Sequence, residues 1–413
     1  MSENLSKLAG RKGLEEPLFE QLVNKSKATG TIDDKTKREL AQQFIVGNAN
    51  VHGTVSFYDF LKPANSGKKA YVCSGSACLL AGTQEKLKNQ LEKHVKADEI
   101  GHMCCLGRCH ENGAFHFKGR NYSAKSDSEI ESIISGKSKD NTDNYHVSSN
   151  LEQPILTGPR MDSTEFFTFL HSCLKRSPGD LLSEIKTSNL RGRGGAGFPM
   201  GLKLESCMNT PSEQKFVVCN ADEGDPGAYS DRYIMEKQGH LLLFGMMVAG
   251  YIVGASRGVL YIRGEYPESI ELIRMEIERF RDAGLLGDNV NGNGFDFEFK
   301  IIEGAGAYIC GEETALLSSI EGQRPEVRVR PPFPTQQGLF NEPTVVNNVE
   351  TSASIYHILK VGGRAYSEMG NGKSTGSKLV CLDSFFNRPG IYEVKMSTPL
   401  KEIIQDLGGG FKT

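Results

Sequence analysis

Residues 215–266, KFVVCNADEGDPGAYSDRYIMEKQGHLLLFGMMVAGYIVGASRGVLYIRGEY, decide the fold of this 413-residue chain. KFVVCNA (215–221) and GVLYIRGEY (258–266) read as strands. Between them lies an apolar stretch, LLLFGMMVAGYIVGA (241–255). It falls short of the roughly 20 residues a membrane helix needs and is interrupted by glycine, so it reads as a buried core helix. Working outward, an amphipathic helix is predicted over 267–283, a strand at FDFEFKII (295–302) and a helix over 312–320. Upstream, a helix is predicted near 164–186, and downstream a strand at IYEVKM (391–396). Strands alternating with helices predict an α/β domain.

A second, smaller α/β unit precedes it. Residues 14–48 read helical, KKAYVCSGS (68–76) reads as a strand, and Leu87, Leu91 and Val95 mark an amphipathic helix over 82–95. The polar stretch GKSKDNTDNYHVSSN (136–150) reads as a linker. The net charge of −3, from 48 basic and 51 acidic residues, gives no ground for nucleic-acid or membrane binding. No secretory signal is visible at the N-terminus. Ten cysteines in such a chain predict a reducing, cytoplasmic setting, with metal ligands or free thiols rather than disulfides.

Four cysteines are paired in two tight loops, Cys73-x4-Cys78 and Cys105-x3-Cys109. Thiolates select zinc or iron–sulfur clusters. The gaps suit a two-iron cluster better than a zinc site, though zinc and unliganded thiols stay open. Cys104 adjoins Cys105, and neighbouring side chains of an extended segment point to opposite sides, so one of the two ligates. His102, His110 and His116 read as solvated side chains, because four thiols already complete a site.

The chain has 46 glycines, which gather in loops. Gly192-x-Gly194-x-x-Gly197 matches a dinucleotide pattern, but a helix rather than a strand precedes it, so the ordinary Rossmann reading fails. The loop still lets a flat cofactor or phosphate approach the backbone, with Arg191, Arg193 and Lys203 adding positive charge. Asn220-Ala-Asp222-Glu223-Gly-Asp225-Pro-Gly227 leaves the carboxyl end of a strand, where α/β sheets bind ligands. A solvated acidic turn reads equally well there. Gly304–Glu313 joins a strand to a helix, and Glu312 and Glu313 either repel phosphate or stabilise that helix start. Cys310 reads as a small buried residue. Arg330-Pro-Pro-Phe333-Pro presents a cation and a ring. Asn347 and Asn348 read either as a pair of amides for the polar edge of a flavin or base, or as a helix cap.

Together these motifs resemble one family. NVHGTVSFYDF (50–60), CSGSAC (73–78) and CLGRC (105–109) resemble the thioredoxin-like [2Fe–2S] subunit of respiratory complex I, and point to Cys105 as the ligand. LRGRGGAGFPMGLK (190–203), NADEGDPGAYSDR (220–232), GAGAYICGEETAL (304–316), RPPFP and PTVVNNVET (343–351) resemble its NADH-binding flavoprotein subunit. The fused arrangement is similar to the diaphorase subunit of soluble NAD-linked hydrogenases and of NAD-dependent formate dehydrogenases.

The resemblance implies a thioredoxin-like [2Fe–2S] domain over 1–135, a linker over 136–152, an FMN- and NADH-binding domain over 153–395, and the start of a ubiquitin-like domain over 396–413. It implies cluster ligation by Cys73, Cys78, Cys105 and Cys109. FMN would be held by Gly192, Gly194, Gly195, Lys203, Asn220, Asp222, Glu312, Asn347, Asn348 and Thr351. Phe198 and Phe333 would stack on the NADH adenine, and Asp225, Tyr308 and Glu313 would line the nicotinamide and ribose site. Tyr308 and Glu313 are the candidate catalytic residues. Hydride would pass between NAD(H) and FMN, and single electrons to or from iron–sulfur clusters in partner subunits of a larger oxidoreductase. Ser206 stands where the family usually carries a third aromatic ring, and Asp225 where it usually carries Glu. The family also carries a [4Fe–4S] domain, for which this chain has no CxxCxxC run. Two alternatives remain: a complex I-type NADH dehydrogenase subunit, and a non-catalytic metal-binding assembly module.

Overall fold

The computed structural model describes residues 13–290, 292 and 294–412. Three helices come first, α1 (Leu18–Thr29), α2 (Asp34–Gln43) and α3 (Asn48–Phe57). Gly30, left-handed at φ 76°, ends α1, and the Asp33 carboxylate accepts the Thr36 N–H to start α2. The 14–48 stretch is thus two helices and a turn.

The small sheet follows, with order β2-β1-β3-β4. It is built from β1 (Ala70–Cys73), β2 (Ile100–Met103), β3 (Phe115–Phe117) and β4 (Arg120–Tyr122). β1 and β2 run parallel, whereas β3 and β4 are antiparallel. Its helices are α4 (Ser76–Leu80), α5 (Gln84–Glu92) and α6 (Asp127–Ile134), the last closed by a Ser126/Glu129 capping box.

The expected linker is not free chain. β5 (His146–Ser149) lies within it and pairs in parallel with β14 (Gly390–Lys395), which pairs antiparallel with β13 (Ser377–Leu382). The polar composition hid this strand because it sits at a sheet edge with both leading residues exposed. The helix expected near 164–186 is two, α7 (Ser163–Cys173) and α8 (Pro178–Thr187). Ser177 caps the second, and Pro178 begins it without needing an N–H partner. α9 (Met200–Asn209) follows the glycine loop.

The central sheet has order β10-β6-β7-β9-β8. Its strands are β6 (Phe216–Ala221), β7 (Arg257–Ile262), β8 (Gly287–Val290), β9 (Phe295–Glu303) and β10 (Thr344–Asn348). β10, β6, β7 and β9 are parallel, with β8 antiparallel at the edge. Intervening helices are α10 (Ser230–Lys237), α11 (Gly239–Val253), α12 (Pro267–Asp282) and α13 (Glu313–Ile320). α14 (Val349–Val361), α15 (Gly363–Ser367) and a short ribbon of β11 (Gly370–Asn371) and β12 (Ser374–Thr375) follow, and a π-helical segment spans Glu402–Leu407 after β14.

α11 is apolar all round because it is buried all round. A Cβ at Gly245 would run into the Ser352 carbonyl of α14, so the closeness of that helix pair depends on glycine. The other sheet face is covered by the N-terminal helices. Leu18, Phe19, Leu22 and Val51 share one core with Phe216, Val218, Val259 and Tyr261. Most apolar residues of 70–134 pack into cores of their own, whereas Ala77, Cys105 and Cys109 join the core of the large domain. The helical N-terminal segment therefore packs with the large sheet rather than with the small one.

Candidate functional site

The carboxyl ends of β6, β7, β9 and β10 open onto a cavity of about 530 Å³. Gly194, Gly195, Asn220, Asp225, Tyr308, Glu312 and Asn348 line it, all of them expected. So do Arg193, Glu223, Ser230, Asp231, Ile309 and Lys378, to which the resemblance gives no role.

The glycine loop is a closed hairpin. The Gly192 N–H donates to the Phe198 oxygen at 2.9 Å, and Arg191 Nε to the Gly197 oxygen at 2.7 Å. Gly194 faces Asn348 so closely that a Cβ would lie 3.1 Å from the Asn348 Cβ. The cations expected to give the loop free positive charge are committed to backbone instead. Arg193 donates to the carbonyls of Arg191, Thr375 and Ser377, and Lys203 Nζ donates to the Val346 oxygen at 2.8 Å. Burial pushes the Lys203 ammonium below its ordinary range.

The helix-cap reading of the Asn pair applies to Asn348. Asn348 Oδ1 caps α14 by accepting the Glu350 and Thr351 N–H groups, while its Nδ2 donates to Asp231 Oδ2 at 2.6 Å. Asn347 is buried with its Nδ2 unpartnered, a donor waiting for a ligand. Thr351 Oγ1 accepts the Arg193 N–H at 2.8 Å and so shapes the glycine loop. Glu312 caps α13, taking the Thr314 and Ala315 N–H groups, and Arg330 pairs with Glu312 and Glu313. Asn220 Nδ2 donates to the Gly311 oxygen at 2.8 Å, tying the β6 loop to the β9 loop.

The loop after β6 is not a solvated acidic turn. Asp222 is buried, and burial pushes its carboxyl well above the usual range. Glu223 accepts the Asp231 and Arg232 N–H groups at the start of α10, and burial also raises its pKa. Asp225 stays at the mouth, where it accepts the Tyr308 hydroxyl at 2.6 Å. That bond is the first cause of the raised Tyr308 pKa. Tyr308, Phe198 and Phe333 are 69%, 52% and 54% exposed, and of these three rings Tyr308 lines the cavity. Ser206 bonds Thr335 at 2.9 Å where the family's third ring would stand.

The four paired cysteines are buried, and Cys73 and Cys78 interact with each other and with Cys105. Cys105 Sγ and Cys109 Sγ are 3.5 Å apart, and the two loops touch, with a Cβ on Gly75 lying 3.3 Å from the Cys105 Cα. Cys105, at φ 62°, turns its thiol inward while Cys104 is exposed. The neighbouring thiol is the first cause that lowers Cys105 to about 6 and Cys78 to about 7. His102 is exposed as expected. His110 is not solvated: it is buried against Tyr145 and Tyr229, bonds Asp143 at 2.9 Å, and is lowered by burial to about 3. His116 is half-buried and bonds Asn121.

Cysteine loop and cavity adjoin. Gly227 N–H donates to Cys109 Sγ at 3.2 Å. Arg263 donates to the Glu223 and Cys104 carbonyls, each at 2.5 Å, and pairs with Glu265. Arg232 donates to the Gly107 carbonyl at 2.5 Å and pairs with Asp143. Sequence alone offered no signal for Arg232, Arg263 or Asp143, whose partners lie far away along the chain.

Residues 8–138 match the thioredoxin-like [2Fe–2S] ferredoxin family, and residues 185–357 match the Nuo51 FMN-binding domain. An NADH-quinone oxidoreductase subunit of Aquifex aeolicus is 45% identical over 58% of this chain and 56% of its own. NADP-reducing hydrogenase subunit HndC of Solidesulfovibrio fructosivorans is 45% identical over 58% of this chain and 49% of its own. The chain thus spans about half the length of these relatives. The NAD-reducing hydrogenase HoxS subunit alpha of Cupriavidus necator is 34% identical over 92% of this chain and 67% of its own. A crystal structure of an air-oxidized NAD+-reducing [NiFe]-hydrogenase superposes with a TM-score of 0.81 at 27% identity, covering 95% of this chain and 69% of that one. A thioredoxin-like [2Fe–2S] ferredoxin module fused to a Nuo51-type FMN-binding domain, matched over both parts by the HoxS alpha subunit, places this chain in the family of the NAD-reducing hydrogenase alpha subunit.

Proposed function

We propose that the chain is the NAD(H)-oxidising or -reducing flavin and [2Fe–2S] subunit of a larger cytoplasmic oxidoreductase, a soluble hydrogenase or formate dehydrogenase. One observation carries the reading: the loop lining the cavity donates a backbone N–H to a thiol of the cysteine cluster, so two redox sites would share one wall.

The residues fit both groups. Four buried thiols in two touching loops are the donor set of a two-iron cluster. The cavity offers Gly194 and Gly195, the Asn220 amide and the exposed Tyr308 ring, and Asn347, next to the lining Asn348, carries a buried unpartnered amide nitrogen. FMN, when bound, takes two electrons from the nicotinamide and releases them singly. The chain's own residues bind and orient. Gly194 and Gly195 would let the flavin approach the backbone, and Asn220, Asn347 and Asp222 would help to hold it. Gly192, Lys203, Glu312, Asn348 and Thr351 fix the loops around it. Phe198 and Phe333 offer faces to the adenine. Tyr308 and Asp225, bonded to each other, meet the ribose and nicotinamide. Glu313, held by Arg330 and 3.7 Å from Lys203, sets the charge at the rim.

The hydrogenase or formate dehydrogenase setting is favoured over a quinone-linked complex because the HoxS alpha match runs through both modules, whereas the NADH-quinone oxidoreductase match covers 58% of the chain. The other iron–sulfur and catalytic subunits would be the partners. No helix among the described residues is long and apolar enough to cross a membrane. The test is anaerobic titration of the FMN- and iron–sulfur-reconstituted chain with NADH. Bleaching of the flavin absorption together with a reduced-cluster paramagnetic signal is expected. A chain that takes up zinc in place of iron and sulfide, or no flavin, overturns the reading.

A further inference from the structure

The matched FMN-binding segment ends at residue 357, but the cavity does not. Lys378, on β13, enters its lining. The strand is held there by the glycine loop: Arg193 Nε donates to the Ser377 oxygen at 3.1 Å and Nη2 to the Thr375 oxygen at 2.5 Å. On the other side the Leu379 N–H donates to Glu350 Oε1 at 3.0 Å, and Lys378 Nζ pairs with the second oxygen of that fully buried carboxylate. Lys378 is thereby locked between the glycine loop and the first turn of α14.

The charge around it makes this lysine unusual. The cavity lining carries Glu223, Asp225, Asp231 and Glu312 against two cations, Arg193 and Lys378. Arg193 spends its guanidinium on three carbonyls and is buried. Lys378 has three N–H donors, one of them on Glu350, and a third of its side chain is exposed in an otherwise enclosed position. Its neighbours on this floor are Gly194, Asn348 and the start of α14, a 13-residue helix whose positive end favours anions.

We propose that Lys378 is the phosphate-binding cation of the flavin site, so that the hairpin β13–β14 completes a pocket begun by the FMN-binding segment. The inference rests on the flavin reading above. A charge-assisted hydrogen bond in such a place changes affinity by about tenfold or more. It acts on FMN and not on riboflavin, which lacks the phosphate.

The experiment is equilibrium binding of FMN and of riboflavin to the full-length flavin-free chain, read by flavin fluorescence. Lys378→Met should weaken FMN about tenfold or more and leave riboflavin within about twofold, and Lys378→Arg should restore most of the difference. Because Lys378→Met leaves Glu350 buried without its cation, the double variant Lys378→Met/Glu350→Gln is measured beside it and should show the same loss. Equal weakening of both ligands, or no change for FMN, overturns the proposal. Failure of the unaltered chain to bind either flavin instead removes the flavin reading itself, and the proposal with it.

Discussion

Gly227 and Cys109 stand on different sheets' loops, yet the Gly227 N–H points at the Cys109 sulfur from 3.2 Å. Gly227 has φ 104°, a conformation that costs any L side chain strain. Gly227→Ala should therefore rotate this peptide away from the sulfur. Hydrogen bonds to ligand sulfurs stabilise the more negative, reduced cluster. The midpoint potential of the cluster should fall in the variant, as read by a redox titration of its paramagnetic signal. An unchanged potential would show that the bond plays no part once the cluster is assembled.

Cys105 turns inward and Cys104 outward, so the two adjacent thiols should behave oppositely. Cys104→Ser should retain the full iron and acid-labile sulfide content of the reconstituted chain. Cys105→Ser should lose most of it, as should Cys73→Ser, Cys78→Ser and Cys109→Ser. Loss of the cluster in Cys104→Ser with retention in Cys105→Ser would reverse the assignment.

The Tyr308 hydroxyl holds Asp225 at the rim, where an anion repels the additional phosphate of NADP. Asp225→Ser should raise the KM for NADH and lower that for NADPH, each by about tenfold, or about 1.4 kcal/mol. kcat should move little, since the change is in ground-state binding. Steady-state kinetics with an artificial acceptor check this; parallel shifts for both nucleotides would place Asp225 outside the ribose site.

How far the sequence carried can be seen residue by residue. Short-range signals were legible: the strand–helix alternation from 215 to 283, the glycine loop, and the two cysteine loops. Cys105 over Cys104 needed the family pattern, because only a left-handed backbone at 105 decides which thiol turns in. Long-range polar contacts were not legible. Lys378 is not singled out by any motif, and its place shows only once Arg193 and Glu350 are seen to hold its strand. His110 reads as solvated until Tyr145 and Tyr229 close over it. The segment 146–149 reads as linker because an edge strand needs only one partner and little apolar surface.

Glu393, fully buried on β14, shows what such contacts contribute to stability. Its carboxylate accepts the N–H groups of Ile155, Leu156 and Thr157 and the hydroxyls of Thr157 and Ser377. Removing it leaves several buried donors without an acceptor, each costing about 1–3 kcal/mol before relaxation. Glu393→Ala should destabilise the chain by at least about 3 kcal/mol in chemical denaturation. It should also weaken FMN binding, because the hairpin carrying Lys378 loses its tie to residues 155–157. A loss below about 1 kcal/mol would mean that water replaces the carboxylate without cost.

His240 contributes to the acid limb of stability. It is buried in α11 with its ring 5.0 Å from that of Phe166, and neither ring nitrogen has a partner. Burial, aided by Arg160 and Arg279, lowers its pKa to about 3. The folded chain therefore keeps this imidazole neutral, whereas the unfolded chain takes up a proton as the pH falls below about 6.5. Protonation favours the unfolded state throughout the window between those values, so stability is lost as the pH falls, by about 2 kcal/mol at pH 5. His240→Leu removes one titrating group and fills the site with an apolar side chain. The stability difference between variant and parent should grow by about 2 kcal/mol in favour of the variant between pH 7.5 and pH 5. Denaturation midpoints at the two pH values measure it. A difference that stays constant with pH would mean that His240 titrates alike in the folded and unfolded chain, with water reaching its ring.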